Sequence, residues 1–538
     1  MPLFTLQLQP LEQMLFKDGW VASDFALTPN MASLLYNLRV EVDGLHLVEG
    51  WKEFTTRTAS ASATPPFNVA VVTSPNGRRY SLLFHGNAAV WAIRSPMPDE
   101  RVVANVTLVS VQGMYSDAPV PPVAVMGPYV YYISSSISSS SPTYPSPLFR
   151  WQFPDESDYV GTFQRVVPNQ GDPNIPCAKA IGALGFRLVL GNIKTYKWDE
   201  ENGEWILDAE YPNRIMWSGL DNPAFWDTTA YFDLFDQDTI VALYPLGDTL
   251  AIYTLSDVYI MQQTGDVVAP FSITKVLDNP ELLHPNAILD ISAHEFRGHI
   301  LLTWTGVWVF TGGETQLLST NIRNIWKDFV KAGRYIRAYY DPVNEEIIIA
   351  DHYNAQALVY QLRWRTWYKR DFDLHAFGST GYPRGWETAE QDYSLVLKCI
   401  GVKQEIKPNE IILHFYEYGG VKRDTQPATA ELITPIQEVV PPSQQAILHA
   451  GTAYWTTEAA APGQMEYKVI VGNHWNDIAA NLPNVDTHTY YAMVGKPMPL
   501  VTMYLRGRAF RWHLKFTGLE KPLKVHGHIA YFRPPVGR

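Results

Sequence analysis

The sequence predicts an all-β protein: an irregular β-propeller with inserted loops, joined to a smaller sandwich- or barrel-like β platform domain. Three observations lead there. Aromatic residues make up 13% of the 538 positions, with 17 Trp and 30 Tyr, a composition that suits strands. The 39 Pro and 35 Gly are scattered along the whole chain, which fits many short elements between turns better than long helices. A strand–turn–strand pattern also recurs at intervals of roughly 45 to 60 residues, near the length of a four-stranded propeller blade.

The repeats can be taken in order. "GRRYSLLFHGNAAVWAI" from Gly77 and "GPYVYYISSS…SPLFRWQF" from Gly127 each read as a strand, a turn and a strand, the second with an insertion. "GFRLVLGNIKTYKWDEENGEWILD" from Gly185 carries Asn202-Gly203, a hairpin signal because both residues tolerate positive φ. "GDTLAIYTLSDVYIMQQTG" from Gly247 and "RGHILLTWTGVWVFTGG" from Arg297 match each other best. "NEEIIIADHYNAQALVYQLRWRTWYKRDF" from Asn344 follows, and "QDYSLVLKCIG…NEIILHFYEYGG" from Gln391 is a weaker last member. Six or seven blades are expected. Each hairpin has an apolar face that it cannot bury alone, and a ring of stacked blades solves that problem.

Helical periodicity is confined to "NIRNIWKDFV" and "LEQMLF". The Pro-, Gln- and Thr-rich stretch "RDTQPATAELITPIQEVVPPSQQAIL" marks the exit from the ring. Residues 71–422 are therefore assigned to the propeller and 423–538 to the platform. Residues 1–70 form an N-terminal segment expected to pack on that platform, since chain ends often lie close together. The serine run Ser134 to Ser141 reads as an exposed spare loop.

Net charge is −12, so binding of nucleic acid by counterion release is not expected. The two cysteines, Cys177 and Cys399, form no framework and no metal-type spacing. "MPLFTLQLQPLEQMLFKDGW" lacks a basic start and a small-residue cleavage site, so a secretory signal is not expected. "VPPVAVMGPYVYYI" is too short and too interrupted to span a bilayer.

Motifs with chemistry are scarce. "HEFRGH" places His294 and His299 five apart rather than one helical turn apart, which zinc proteases require. "VHGHI" puts His526 and His528 on one strand face, but no third ligand is nearby. "DEENGEW" and "DPVNEE" gather carboxylates on turns, where they do not face each other across a substrate. No GxSxG, phosphate loop, dinucleotide fingerprint or sialidase-type Asp-box occurs. No catalytic residue, metal ligand or cofactor is assigned, and an enzyme is not expected.

The most distinctive stretch is "YPNRIMWSGLDNPAFWD". Arg214, Ile215, Met216 and Trp217 alternate like a half-buried strand. Asp221, Asn222 and Pro223 turn the chain, and Trp226 covers the corner. Arg214 is placed to stack on a ring or to pair with Asp227. Arg214, Trp217, Pro223 and Trp226 are read as a structural corner rather than a sugar site.

"RIMWSGLDNPAFWD" resembles a pattern in the propeller of tail nozzle proteins (hub, or tail tubular B-like) of short-tailed, podovirus-type bacteriophages. Other fragments agree, in family order. "LYNLRVEVDGLHLVEGWKEF" is similar to the family's N-terminal Asn-x-Arg segment, with its usual Arg-Pro-Gly replaced by Val48-Glu49-Gly50. "GDTLAIYTLSDVYIM" and "YYDPVNEEIIIA…VYQLRWRTWYKRDF" resemble successive blades. "LRGRAFRWHLKF" resembles the C-terminal Arg-Gly-Arg strand. The resemblance implies a virion structural protein assembled in the host cytoplasm. It would form a ring of six beneath a head-to-tail adaptor and portal, contact tail fibres or spikes, and enclose a channel that conducts DNA without binding it specifically. An acidic lumen would keep that DNA mobile. The alternatives are a propeller that binds or cleaves glycans, disfavoured by the missing Asp-boxes, and a receptor-binding tail protein, disfavoured by the lack of β-helical repeats.

Overall fold

The computed structural model describes residues 34–533, except 60–67, 94–106, 111–122, 154–163, 292–297, 381–397, 419–427, 439–445, 458–462, 481–484, 497–500 and breaks of one to three residues. "LEQMLF" lies outside the described residues. The chain is all-β, an irregular propeller with a β-sandwich platform.

Seven antiparallel blades of four strands follow one another. Blade one is Asn68–Thr73, Arg79–His85, Ala89–Ile93 and Thr107–Ser110. Blade two is Val123–Met126, Tyr129–Ile133, Leu148–Gln152 and Gln164–Arg165. Blade three is Cys177–Leu184, Arg187–Asp199, Glu204–Trp217 and Tyr231–Asp233. Blade four is Ile240–Leu246, Thr249–Thr254, Asp257–Gln263 and Phe271–Asp278. Blade five is Ile288–Asp290, His299–Leu302, Val307–Phe310 and Thr315–Leu317. Blade six is Ile336–Asp341, Glu346–Asp351, Gln356–Gln361 and Thr366–Asp371. Blade seven takes three strands from its own segment, Ala376–Thr380, Lys398–Lys407 and Glu410–Tyr418. Its outer strand is Trp51–Ala59, from near the start of the chain. The described part of the segment 1–70 is thus divided: the strands Leu34–Tyr36, Leu38–Glu41 and Gly44–Leu47 join the platform, Trp51–Ala59 joins blade seven, and the strand from Asn68 opens blade one.

The blades stack because each sheet is apolar on both faces. Val72, Tyr80 and Leu82 of blade one pack on Val130, Tyr132, Phe149 and Trp151 of blade two. Blade three meets blade two through Ala178, Leu188 and Met216. It meets blade four through Val189 and Ile215, against Ile240, Leu243 and Ile252. Blades four and five join through Ala251, Tyr253, Leu301 and Phe310. Between blades seven and one the approach is so close that a Cβ on Gly378 would lie 2.3 Å from Ser81 Oγ. That hydroxyl donates to the Ser379 carbonyl at 2.9 Å. Between blades five and six runs the helix α1, Arg323–Ala332, matching the periodicity of "NIRNIWKDFV". It buries Trp326, whose Nε1 donates to the Thr303 carbonyl at 3.0 Å.

The platform is two facing sheets built from both ends of the chain. One continues the sheet of blade six, whose strand Thr366–Asp371 pairs in parallel with Leu34–Tyr36 at Tyr36 and Lys369, and runs on through Ala428–Ile433, Ala509–Leu519, Gln464–Gly472 and Asp486–Met493, with Gln437–Glu438 also on Ala509–Leu519. The other runs Leu38–Glu41, Gly44–Leu47, Leu523–Arg533, Ala446–Thr457 and Val501–Gly507. Leu448, Met503, Tyr467, Trp512, Leu514 and Phe516 are buried in the core cluster that continues into blades five, six and seven.

Asn37 joins the two units. Its φ is 56°, a left-handed conformation that asparagine tolerates. Its Nδ2 donates to Asp371 of blade six at 3.1 Å and to the Thr429 carbonyl of the platform at 2.7 Å, while Oδ1 accepts from the Asp371 amide at 3.0 Å. Beside it, the Gln361 amide mimics a strand partner, giving and receiving hydrogen bonds of 3.2 Å with the Val40 backbone. Beneath this joint lies a buried polar cluster. The Asp341 carboxylate accepts from Val343 N, Asn344 N, Asn344 Nδ2 and Cys399 Sγ. Glu346 is fully buried and accepts from Tyr368 Oη at 2.8 Å through one oxygen, and its other oxygen meets no donor. Burial, reinforced by the Asp341 carboxylate, pushes the Glu346 carboxyl up to about 7, against the pull of Arg39 and Arg370.

The Arg214 corner is where blade three meets its neighbours. Ile215 and Met216 do not alternate between core and solvent. Both are buried, Ile215 toward blade four and Met216 toward blade two. Arg214 lies 3.9 Å from the ring centres of both Tyr211 and Tyr231, so the ring stacking expected of it is present. Its ionic partner is Asp233, with bonds of 2.7 and 2.8 Å, rather than Asp227. Asp233 sits directly opposite Arg214 on the paired strand, whereas Asp227 caps Thr229. Trp226 is 1% exposed in the core between blades two and three, and its Nε1 donates to the Pro223 carbonyl at 2.9 Å. Trp217 is half-buried, edge-on to Phe271 at 5.4 Å.

Several local expectations change. Gly203 has φ 65°, but Asn202 is not left-handed, because the Gly203 amide closes a longer turn onto the Asp199 carbonyl. In "DPVNEE", read as a turn in which Asn344 would tolerate the unusual backbone conformation, the left-handed residue is Glu345, one place later. The serine run is no spare loop along its length: Ser134 and Ser135 are buried, and the Ser141 carbonyl accepts from Trp205 Nε1.

Two expected outcomes follow from this packing. Trp226→Ala should cost about 3 to 5 kcal/mol in denaturant unfolding, and Trp217→Ala roughly 1 to 2 kcal/mol, because its ring keeps part of its solvent contact. Equal losses, or none, would contradict the stacking described. For Glu346 the folded pKa lies above the unfolded value of 4.5. The stability tied to its proton is therefore complete below that value and is lost as pH rises through about 7. Glu346→Gln should gain on the wild type by roughly 3 kcal/mol between pH 4 and 8; parallel stability–pH curves would refute this.

Candidate functional site: the central cavity

The inner strands of all seven blades converge on one cavity of about 460 Å³, a volume typical of small-ligand pockets. Its walls are largely backbone and aliphatic side chains, because a propeller's inner strands turn their side chains toward neighbouring blades. Onto this apolar ring a few polar groups project. Arg79 comes from blade one, Lys179 from blade three, Asp290 from blade five, and Arg337 and Tyr340 from blade six, with Tyr244 from blade four and Ser379 from blade seven. Val71, also in the wall, is 42% exposed, so the cavity communicates with solvent.

The Arg79 guanidinium lies 5.8 Å over the Tyr340 ring. Burial pulls its pKa down, and Tyr340, Cys399 and Asp290 oppose that shift. Burial also pushes the Tyr340 phenol up to about 12. Asp290 is the only carboxylate among the lining residues. Among the described lining residues the facing carboxylate pair of glycoside hydrolysis is not assembled.

The sequence motifs fall elsewhere. His299 is fully buried behind the cavity wall, 2.6 Å from Tyr253 Oη and 3.0 Å from the Pro245 carbonyl. Burial lowers its pKa, and both ring nitrogens are engaged within the core. His294 lies outside the described residues. His526 and His528 are on the strand Leu523–Arg533, but their side chains lie outside the description. Asp199 and Asp341 tie down turns. Among the described residues no group of three or more His, Cys, Asp or Glu is arranged to hold a metal ion, and no helix is long and apolar enough to cross a membrane. Arg214, Trp217, Pro223 and Trp226 are not in the cavity wall. Arg79, Lys179 and Arg337 went unnoticed in the sequence, where they lie far from one another in apolar strands or beside a turn.

No protein family and no curated protein matches this chain. Solved structures similar to it include U3-55K, at 9% identity and TM-score 0.30 over 68% of this chain and 99% of that one. The WD40 domain of Toxoplasma gondii coronin is similar at 11% identity and TM-score 0.29, over 74% and 90%. An exo-beta-1,3-galactanase from Phanerochaete chrysosporium is similar at 10% identity and TM-score 0.26, over 82% and 100%. At such scores none of these likenesses assigns an activity to this chain.

Proposed function

We propose that this chain is a virion structural protein: the nozzle subunit of a short-tailed phage tail, assembled as a ring that conducts DNA during genome ejection. One observation carries the reading. The fragments that resemble the nozzle family occupy, in family order, distinct working parts of the fold. The Asn37–Arg39 segment is the joint between propeller and platform. "RIMWSGLDNPAFWD" is the corner of blade three. "GDTLAIYTLSDVYIM" spans the strands Thr249–Thr254 and Asp257–Gln263 of blade four, and "YYDPVNEEIIIA" opens blade six. Arg506 and Gly507 end the strand Val501–Gly507, and Arg508 links it to Ala509–Leu519 of the platform.

The fold suits that role. A propeller joined to a two-sheet platform through the core beneath blades five, six and seven offers separate surfaces for neighbours within a ring and for the rings above and below. A closed ring needs heterologous contacts, with two different patches on each subunit. The propeller's own cavity has the size of a small-molecule pocket, so the DNA path in this reading runs between subunits. The acidic residues expected to face DNA belong on that inter-subunit surface, since the propeller cavity gathers more basic residues than acidic ones.

Quantitative mass spectrometry of purified particles tests the proposal. About six copies per virion is the expected result for a single cyclic ring. Absence of the chain from particles would overturn it.

A further inference from the structure

The strand Asp486–Met493 ends one sheet of the platform, and among the described residues no strand pairs with its outer edge. The pairing on its other side decides which backbone groups that edge presents. The Val494 amide donates to the Gly463 carbonyl at 3.0 Å, and the ladder with Gln464–Gly472 continues from there without a shift of register. Alternate residues of an antiparallel ladder face the partner. Ala492, Tyr490 and His488 therefore bond inward, while Met493, Tyr491, Thr489 and Thr487 turn their amides and carbonyls outward. The side chains of these four are exposed as well, Tyr491 at 64% and Met493 at 57%. Proteins ordinarily guard such an edge by keeping it short or by placing a basic residue, a proline or a bulge in it. The other outer sheet ends of this chain are guarded. The outer strands of blades one, two, three and five have four residues or fewer. Those of blades four and seven contain Lys275 and Lys52, and the two ends of the second platform sheet contain Arg39 and Arg506. Asp486–Met493 has eight residues, with no Lys, Arg or Pro and no bulge.

We propose that this edge docks a second copy of the chain, two Asp486–Met493 strands pairing antiparallel across a two-fold axis with Tyr491 opposite its counterpart. In that register the strand is its own complement. Tyr491 exchanges backbone hydrogen bonds with Tyr491 of the second copy, and Thr489 with Met493. Both exposed apolar side chains are covered, the tyrosine rings by each other and Met493 by Thr489, contacts of the kind that stabilise antiparallel pairs. The charges agree. The same register brings Asp486 toward Lys496 of the second copy, just past the end of the strand, and both residues are exposed and without an ion pair among the described residues. An isologous pair closes at two copies. It is distinct from the heterologous contacts of a ring, so it goes beyond the tail reading and does not rest on it.

The test is sedimentation equilibrium of the intact purified chain at concentrations up to about 300 μM. One strand pair is smaller than a standard interface, so a monomer–dimer equilibrium with a Kd of roughly 10 to 100 μM is expected. Tyr491→Lys sets like charges face to face at the axis and should weaken association about tenfold or more. Thr489→Pro should do the same. Its amide faces the open edge, so proline there removes no hydrogen bond of its own sheet, and the melting temperature of the monomer should not fall. Tyr491→Lys, a change at an exposed side chain, keeps the test decisive if Thr489→Pro impairs folding. The register has its own readout. The native Cys177 and Cys399 are buried, so Tyr491→Cys should give a disulfide-linked dimer on oxidation, and Thr487→Cys should not. A monomer at every concentration, an association unchanged in both Tyr491→Lys and Thr489→Pro, or cross-linking through Thr487→Cys but not Tyr491→Cys would overturn the proposal.

Discussion

The pairing of Glu410–Tyr418 with Trp51–Ala59 is the contact on which the rest of the structure depends. A propeller blade cannot bury either of its faces alone, so every blade relies on two neighbours, and the chain of reliance ends only when the ring shuts. Blade seven is completed by a strand from the other end of the propeller sequence. That strand locks the ring by backbone hydrogen bonds, a stronger device than side-chain packing between blades seven and one would be by itself. Trp51, at its start, is buried edge-on against Phe372 and Phe377, with the Arg370 guanidinium over its ring. The closing strand is therefore also held by the apolar core beneath blades six and seven. Such a closure is non-local, which makes slow folding the physical expectation.

The same N-terminal segment sets the platform. Before it enters blade seven it threads the joint at Asn37 and forms the hairpin Leu38–Glu41 and Gly44–Leu47, whose second strand pairs with Leu523–Arg533. Ring closure and platform docking are thus two consequences of one stretch of chain. The buried cluster of Asp341, Glu346, Arg370 and Cys399 lies where these elements meet. Its Asp341 carboxylate is there because the turn that follows needs an acceptor for the Val343 and Asn344 amides. A subunit of a tail ring needs a fixed angle between the surfaces it offers its neighbours, and this joint is where such an angle would be set.

Much of this was legible in the sequence, and the reasons are local. Five repeat starts, Gly77, Gly127, Gly185, Gly247 and Asn344, fall just before the second strand of a blade, because turn residues and an apolar run announce that strand most clearly, while Arg297 and Gln391 lie outside the described residues. The seventh repeat looked weak because its outer strand lies elsewhere in the chain. The corner at Trp226 was legible because Asp221, Asn222 and Pro223 form a turn by their own chemistry. The partner of Arg214 was not, since Asp233 becomes its neighbour only through strand register. Nor did alternation predict Ile215 and Met216, because a blade inside a ring has no solvent face. The central cavity was invisible for a deeper reason. Arg79, Lys179 and Arg337 are isolated in sequence and become a group only after seven blades have been arranged around an axis.

The central claim is that the ring is shut by the N-terminal strand, and hydrogen exchange on the intact chain tests it most directly. Amides of Trp51–Ala59 bonded to Glu410–Tyr418 should exchange as slowly as those of the blade-seven interior and only through global unfolding. Fast exchange of Trp51–Ala59, while blades two to six stay protected, would contradict the account and leave the propeller an open arc.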